Sequence, residues 1–498
     1  MLVVALSLFM VIGIDAEPAK VEAKPKPHLP SLTAEQIQSD SDLLLSVLRD
    51  VHPGYTRYRS AEDTAAAETA FQKAAGQARH VGDYYLAVSK FLATIRCEHT
   101  EAELPRDLSQ WREGQPTMLP LHFRWVDGTA LVLDVAPGVD GVAKGDALMA
   151  VDGRSMQSLF EAMAPHIAVD GFTDHTKATL FGGRDDIGFT TFDVFYPLFH
   201  GFSEFFELTV RSVDGTTRKA SVPAVDEKTA LSVRGLGKRY QNFSDEGAVS
   251  WRKEGNAAVL NVNTFVNYRT PVDPDEVFGP VFREIQASGV ERLVYDLRNV
   301  GGGSTDVMHS LLSHLIAKPI TLGGPSWVKT YDFSDHREHL STWDKSVFSM
   351  PAELFTAEDL ESKYGGLYRV SPKINGGAKT LEPAPDAWKG PLYVLIGPNN
   401  ESGATLLLAE LRDERQVTFV GQETGGSAEG PTAGILVFLM LPESKINVRV
   451  PLIWNTSSYA DFIPGKGLKP DLEVPETLDD LRTGRDVALE VALGKRWL

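Results

Sequence analysis

Leu44, Val47, Leu48 and Val51 recur at spacings of three and four, which predicts an amphipathic helix over 33–51. Thr33 with Gln36 opens it as a capping box, and His52-Pro53-Gly54 ends it. An alanine-rich stretch (65–78) and a stripe of Tyr84, Val88, Phe91 and Ile95 predict two further helices, so 31–105 reads as a small helical bundle. From 116 to 225 the pattern turns to strands, with Leu131-Val132-Leu133 and the alternating Phe206, Leu208 and Val210, the latter closed by an Asp214-Gly215 hairpin turn. Met156 to Met163 is a helix within this region. The insertion 168–198, with Gly182-Gly183 and Phe189, Phe192, Phe195 and Tyr196, shows no period that assigns it.

Beyond Ala257 short apolar runs alternate with helical segments: strands at 258–262, 293–295, 392–396 and 417–420, helices at 275–288, 305–317 and 406–411. Strand–helix–strand alternation of this kind makes parallel crossover units, whose functional groups collect at the C-terminal ends of the strands. Strands at 435–441 and 445–450 and a last helix at 482–493 follow. The loop-rich 318–390, with Trp327, Tyr331, Trp343, Tyr364 and Tyr368, is placed as a wall of a substrate cleft.

Composition narrows the function. The net charge of −18 over 498 residues argues against nucleic acid or an anionic membrane as the main partner. Cys97 is the only cysteine, which removes an intrachain disulfide and a cysteine metal cluster, and no cofactor or metal is expected. Leu2 to Ile14 has the length of a signal-peptide core, with Ala16-Glu17 as the cleavage point, although no Lys or Arg precedes it. Residues 1–16 are thus read as a signal peptide and 17–30 as a linker. Export to the periplasm or the extracellular space is expected, with either no integral span after signal removal or membrane association through the N-terminus.

Two stretches carry candidate chemistry. Ser402-Gly403-Ala404 follows the 392–396 strand and opens a helix, where unpaired amides and the helix dipole suit a developing oxyanion. Taken alone, a serine there is more often an N-cap than a nucleophile. Gly301-Gly302-Gly303 ends the strand containing Asp296-Leu297-Arg298-Asn299, and is either a tight turn or a place where backbone amides approach a reacting atom.

Together, and followed by Gly421-Gln422-Glu423-Thr424-Gly425-Gly426, these stretches resemble the core of the C-terminal processing peptidases and tricorn-type serine peptidases. The resemblance implies a multidomain α+β protein: an N-terminal helical bundle (31–105), a PDZ-like β-rich domain (116–225) and an α/β ClpP/crotonase-like catalytic core (245–498). The PDZ-like part rests on Lys144-Gly145-Asp146-Ala147-Leu148 through Val151-Asp152-Gly153 and implies recognition of an extended peptide along a sheet edge. The family's closing turn is matched by Gly465-Lys466-Gly467-Leu468-Lys469-Pro470-Asp471.

The implied activity is hydrolysis of unfolded proteins or peptides through an acyl-enzyme, with Ser402 as nucleophile and oxyanion donors at Gly403 and at Gly301 or Gly302. The lysine of the serine–lysine relatives is absent, because Ser427 stands in its place. His99-Thr100 matches the histidine of the tricorn-like branch and makes His99 the expected base, titrating near pH ~6.5. Glu98 replaces that branch's serine, and Pro464 replaces the glutamate before the closing turn. Glu423 and Asp461 are the acids that could orient His99. The same fold also carries non-catalytic relatives, so a hydrophobic-ligand (retinoid-type) binding protein and a peptide-binding pseudoenzyme are the alternative readings.

Overall fold

The computed structural model describes residues 29–183, 190–234, 242–322, 324–357, 366–371, 380–414 and 417–496. The 2–14 run, the cleavage point at Ala16, the linker up to residue 28, Phe189 and Tyr364 lie outside them.

The centre is a sheet in which Leu472–Glu473, Thr418–Gly421, Leu392–Ile396, Arg292–Asp296 and Ala257–Val262 run parallel in that order, with Val249–Glu254 antiparallel at the edge. Helices Pro274–Ala287, Thr305–Leu315 and Ser402–Glu414 make the crossovers. Leu293, Tyr295 and Val394 pack with Phe278, Phe282, Leu311 and Leu407 on one face. Val294, Leu395 and Val420 pack with Val491 and Ala492 on the other. Burial on both faces is why these strands read as unbroken apolar runs. The register sets Asp296 opposite Leu395 and Ile396 opposite Gly421, so the loops after all three strands leave from one edge.

A second, antiparallel sheet is built on the hairpin of Thr432–Met440 with Asn447–Asn455. Ala102–Glu103 adds to it by pairing with Val448 and Asn447. Helices Ala34–Val51, Ala61–Ala75 and Val81–Ala93 lean on this sheet, and one apolar cluster runs from Leu44, Leu48 and Phe91 through Phe123 and Leu208 to Val437 and Val448. Within it, strands Leu121–Val126, Thr129–Val135, Ala147–Val151, Phe205–Arg211 and Thr217–Pro223 form an antiparallel sheet. The capping box of Thr33 with Gln36 is present, and a second one, Ser60 with Asp63, starts the next helix at Ala61, earlier than the expected 65.

A buried ionic clamp fixes the helices to the core. Arg57 Nη2 lies 2.7 Å from Glu429 Oε1 and donates to Gly430 O at 2.8 Å, and the guanidinium stacks 4.5 Å over the Trp454 ring. Tyr58 donates its hydroxyl to the same Glu429 oxygen at 2.5 Å.

The insertion contains helices Thr176–Gly182 and Thr191–His200, whose Phe181 and Phe192 lie edge-on to Phe123. Its aromatics fill space beneath the neighbouring sheet, a demand of packing that leaves no simple period. The helix expected over 482–493 is two, Leu478–Thr483 and Val487–Ala492. Gly484 at φ 68° terminates the first, and the Asp486 side chain caps the second through Leu489 N.

Candidate active site

Ser402 sits where the Leu392–Ile396 strand turns into the Ser402–Glu414 helix, with φ at 49°. A left-handed serine is uncommon and persists only where its surroundings over-determine it. Here they do. Asn400, fully buried, accepts from Gly397 N at 2.9 Å and donates to Leu297 O at 2.7 Å and Val300 O at 3.1 Å. Its carbonyl receives Gly426 N at 2.8 Å and the Thr405 hydroxyl at 3.0 Å. Asn400 therefore ties the serine turn to the triple-glycine loop.

That loop touches the serine. A Cβ on Gly302 would lie 2.9 Å from both Ser402 Cβ and Gly403 N, and one on Gly303 would lie 2.5 Å from Phe265 C. Their φ angles are 125° and 141°, so both positions require glycine. Gly403, itself 3.5 Å from Gly303 through its own Cβ direction, completes the group with Gly301, and all of these except Gly303 are half-buried. Backbone amides at the start of a helix, against a glycine loop that comes this close, form a cradle suited to an oxyanion.

His99 lies in the turn that follows the third helix, and His52 holds that turn. Gly54 N donates to His52 Nδ1 at 2.9 Å, so the ring proton is on Nε2, which meets the Thr100 hydroxyl at 2.7 Å. Burial, with the charges of Arg59 and Arg57, pushes the His52 imidazole down to about 3. A Cβ at Gly54 would lie 2.7 Å from Thr432 Oγ1, so a side chain there would push that threonine aside.

Two carboxylates stand beside His99. Glu98 Oε1 is 3.5 Å from Nδ1. A carboxylate oxygen of Asp170, a ring nitrogen of His99 and Cys97 Sγ all lie within 4.8 Å of one another. Asp170, 3% exposed, accepts Glu98 N at 3.1 Å. Burial pushes its carboxyl up to about 7, with the charge of Glu401 adding to the rise and the amides of Glu98 and Ser427 and the charge of Arg57 opposing it. The charge of Glu401, the residue just before Ser402, thus acts on the carboxyl beside His99.

Glu423 accepts Gly467 N at 3.0 Å with its carboxylate and the His175 ring at 3.2 Å with its carbonyl, and so holds the closing turn. Asp461 is exposed. Ser427 is 1% exposed and bridges to Gly467. Asp170 and Asn400 escaped the reading of the sequence. Asp170 had one signal, a lone acid after Ile167-Ala168-Val169 and before Gly171; Asn400 had only a place in a polar turn.

Residues 256–474 match the model of peptidase family S41. Two curated proteins, an uncharacterized protein of Chlamydia muridarum (strain MoPn / Nigg) and a protein of Chlamydia trachomatis serovar D, are each 25% identical over 236 residues. Those matches cover 42% of this chain and 38% of each relative, so the chain matches little more than a third of their length. Among solved structures, mature CPAF aligns at a TM-score of 0.62 and 18% identity over 93% of this chain and 97% of the other. The CPAF S499A mutant aligns at 0.64 and 16%, over 92% and 96%. These are likenesses of fold.

Proposed function

We infer, for a chain that belongs to peptidase family S41, that it is a serine endopeptidase acting on unfolded proteins or peptides. The observation that carries this reading is the contact of Ser402 and Gly403 with Gly302, at a serine held in a left-handed turn. An N-cap serine adopts an extended backbone and requires no such strain. The N-cap reading is thereby disfavoured.

In the proposed reaction Ser402 Oγ attacks the scissile carbonyl and passes its proton to His99. Glu98 beside Nδ1 suits it to orient the ring, leaving Nε2 for the serine, and Asp170 adds a second carboxyl to that shell. The carbonyl oxygen gains negative charge as the tetrahedral adduct forms, and the amides of Gly403 and of Gly302 or Gly301 stabilise it; one such donor contributes on the order of 10²–10³ in rate. His99 then donates the proton to the leaving amine, and water repeats the sequence in reverse on the acyl-enzyme. The lysine of the serine–lysine relatives has no counterpart at Ser427, which supports a histidine base.

The 116–225 region, PDZ-like in its motif, is proposed to select substrate along a sheet edge, and the core to be of the ClpP/crotonase type. Export is proposed from the apolar run 2–14. Among the described residues no helix is long and apolar enough to cross a membrane.

Turnover of an unfolded protein substrate tests the reading. Ser402→Ala is expected to abolish it with an unchanged melting temperature. Full turnover by that variant would overturn the assignment.

A further inference from the structure

The cluster at His99 is more than a base and its acids. Cys97 Sγ, a His99 ring nitrogen and an Asp170 oxygen lie within 4.8 Å of one another. Thiolate, imidazole and carboxylate are the ligand types that zinc takes, and three protein ligands with one open position is a common zinc arrangement. A tetrahedral zinc would hold such atoms ~3.5 Å apart, so loading needs side-chain closure of roughly an ångström.

A second observation points the same way. Asp170 is 3% exposed, and its Oδ2 makes no hydrogen bond of ordinary geometry, while Oδ1 takes the Glu98 amide. A buried carboxylate oxygen without such a bond is costly, and a cation answers that cost. The surroundings are acidic: Glu98 lies beside His99 and the charge of Glu401 reaches Asp170. Arg57, which also acts on Asp170, is already bonded to Glu429 at 2.7 Å. Access is from the His99 side, whose side chain is 18% exposed, whereas Cys97 is buried.

We propose that Cys97, His99 and Asp170 form an inhibitory site for zinc or a zinc-like divalent cation, which withdraws His99 from Ser402 when occupied. Zinc displaces the Cys97 thiol proton to solvent, leaves Thr432 O without its Sγ donor (now 3.4 Å away), and occupies one ring nitrogen of His99; the ring proton then sits on the other nitrogen, so the imidazole has no lone pair left to receive the serine proton. Binding of the metal requires only the three side chains. The inhibition rests in addition on the peptidase reading, with His99 as base.

The experiment separates the two. Cobalt(II) and zinc are titrated into the full-length Ser402→Ala chain, where no turnover is needed. One equivalent of cobalt is expected to give a thiolate-to-metal charge-transfer band, absent in the Ser402→Ala chain that also carries Cys97→Ser. Zinc affinity is expected to fall at least ~tenfold with Cys97→Ser and with Asp170→Asn. In the otherwise wild-type protein, zinc is expected to suppress turnover and chelator to restore it, while Cys97→Ser turns over in chelator and resists zinc. Serine can keep the bond to Thr432 O, and Cys97→Ala is the second variant should Cys97→Ser lower the melting temperature. Equal zinc affinity with and without the thiol, or no charge-transfer band, would overturn the site. Metal binding without turnover in any form would leave the site standing and sink the peptidase reading instead.

Discussion

His52 Nε2 meets the Thr100 hydroxyl at 2.7 Å, one residue beyond His99, while Nδ1 takes the amide of Gly54. The His-Pro-Gly break after the first helix is thus a buttress for the turn that carries the proposed base. His52→Ala leaves a buried hydroxyl and a buried amide without partners, each worth ~1–3 kcal/mol. Both the unfolding midpoint in urea and kcat/KM are expected to fall. A variant with a lowered midpoint and wild-type kcat/KM would separate the buttress from the chemistry.

The same histidine gives stability a pH dependence. His52 is held neutral, its pKa pushed down to about 3 from 6.5, and His166 is pushed to about 4 by burial first and the charge of Lys90 next. Between those values and 6.5 the unfolded chain binds more protons than the folded one. Stability therefore falls as pH drops through that window, by up to ~1.4 kcal/mol per pH unit for each residue, and is unaffected by them above it. Urea unfolding at several pH values should show a shallower acid slope in His52→Asn than in the wild type. Identical slopes would contradict the buried neutral ring.

Gly302→Ala places a methyl 2.9 Å from Ser402 Cβ and Gly403 N at a φ of 125°. Either the loop or the serine must move, and the proposed oxyanion donor moves with it. We expect kcat to drop on the order of 10²–10³-fold with KM little changed. Near-normal kcat would remove the triple glycine from the reaction.

Arg57 and Glu429 are nearly dry, with side chains 4% and 5% exposed. Arg57→Ala leaves the buried Glu429 carboxylate with the Tyr58 hydroxyl but without its counter-charge, and is expected to cost ~3–5 kcal/mol in urea unfolding. A loss under ~1 kcal/mol, as for a surface pair, would show that the clamp carries little of the docking.

Much of this was legible in the sequence where local rules and global packing agree. The parallel core announced itself because strands buried on both faces are apolar throughout, and Gly302 and Ser402 stood in motifs whose chemistry is local. The carboxylates around His99 were not equally legible. Glu98 appeared as a departure from a pattern and proves to lie against the ring. Asp170 comes from an insertion whose helices are set by aromatic packing against a distant sheet, so its one local signal, a lone acid between an apolar run and Gly171, does not tell where it lies. The final helix was misread because a single helix over 482–493 puts Gly484 in its interior, whereas at φ 68° it ends the first of two.

The central claim is that Ser402 is activated by His99. It is tested most directly by the intact mass of the full-length chain after brief exposure to a fluorophosphonate probe. The account predicts one adduct, mapped to the peptide containing Ser402, absent in Ser402→Ala and slowed on the order of a thousandfold in His99→Ala. Labelling of another residue, or labelling of Ser402 at an undiminished rate in His99→Ala, would contradict it.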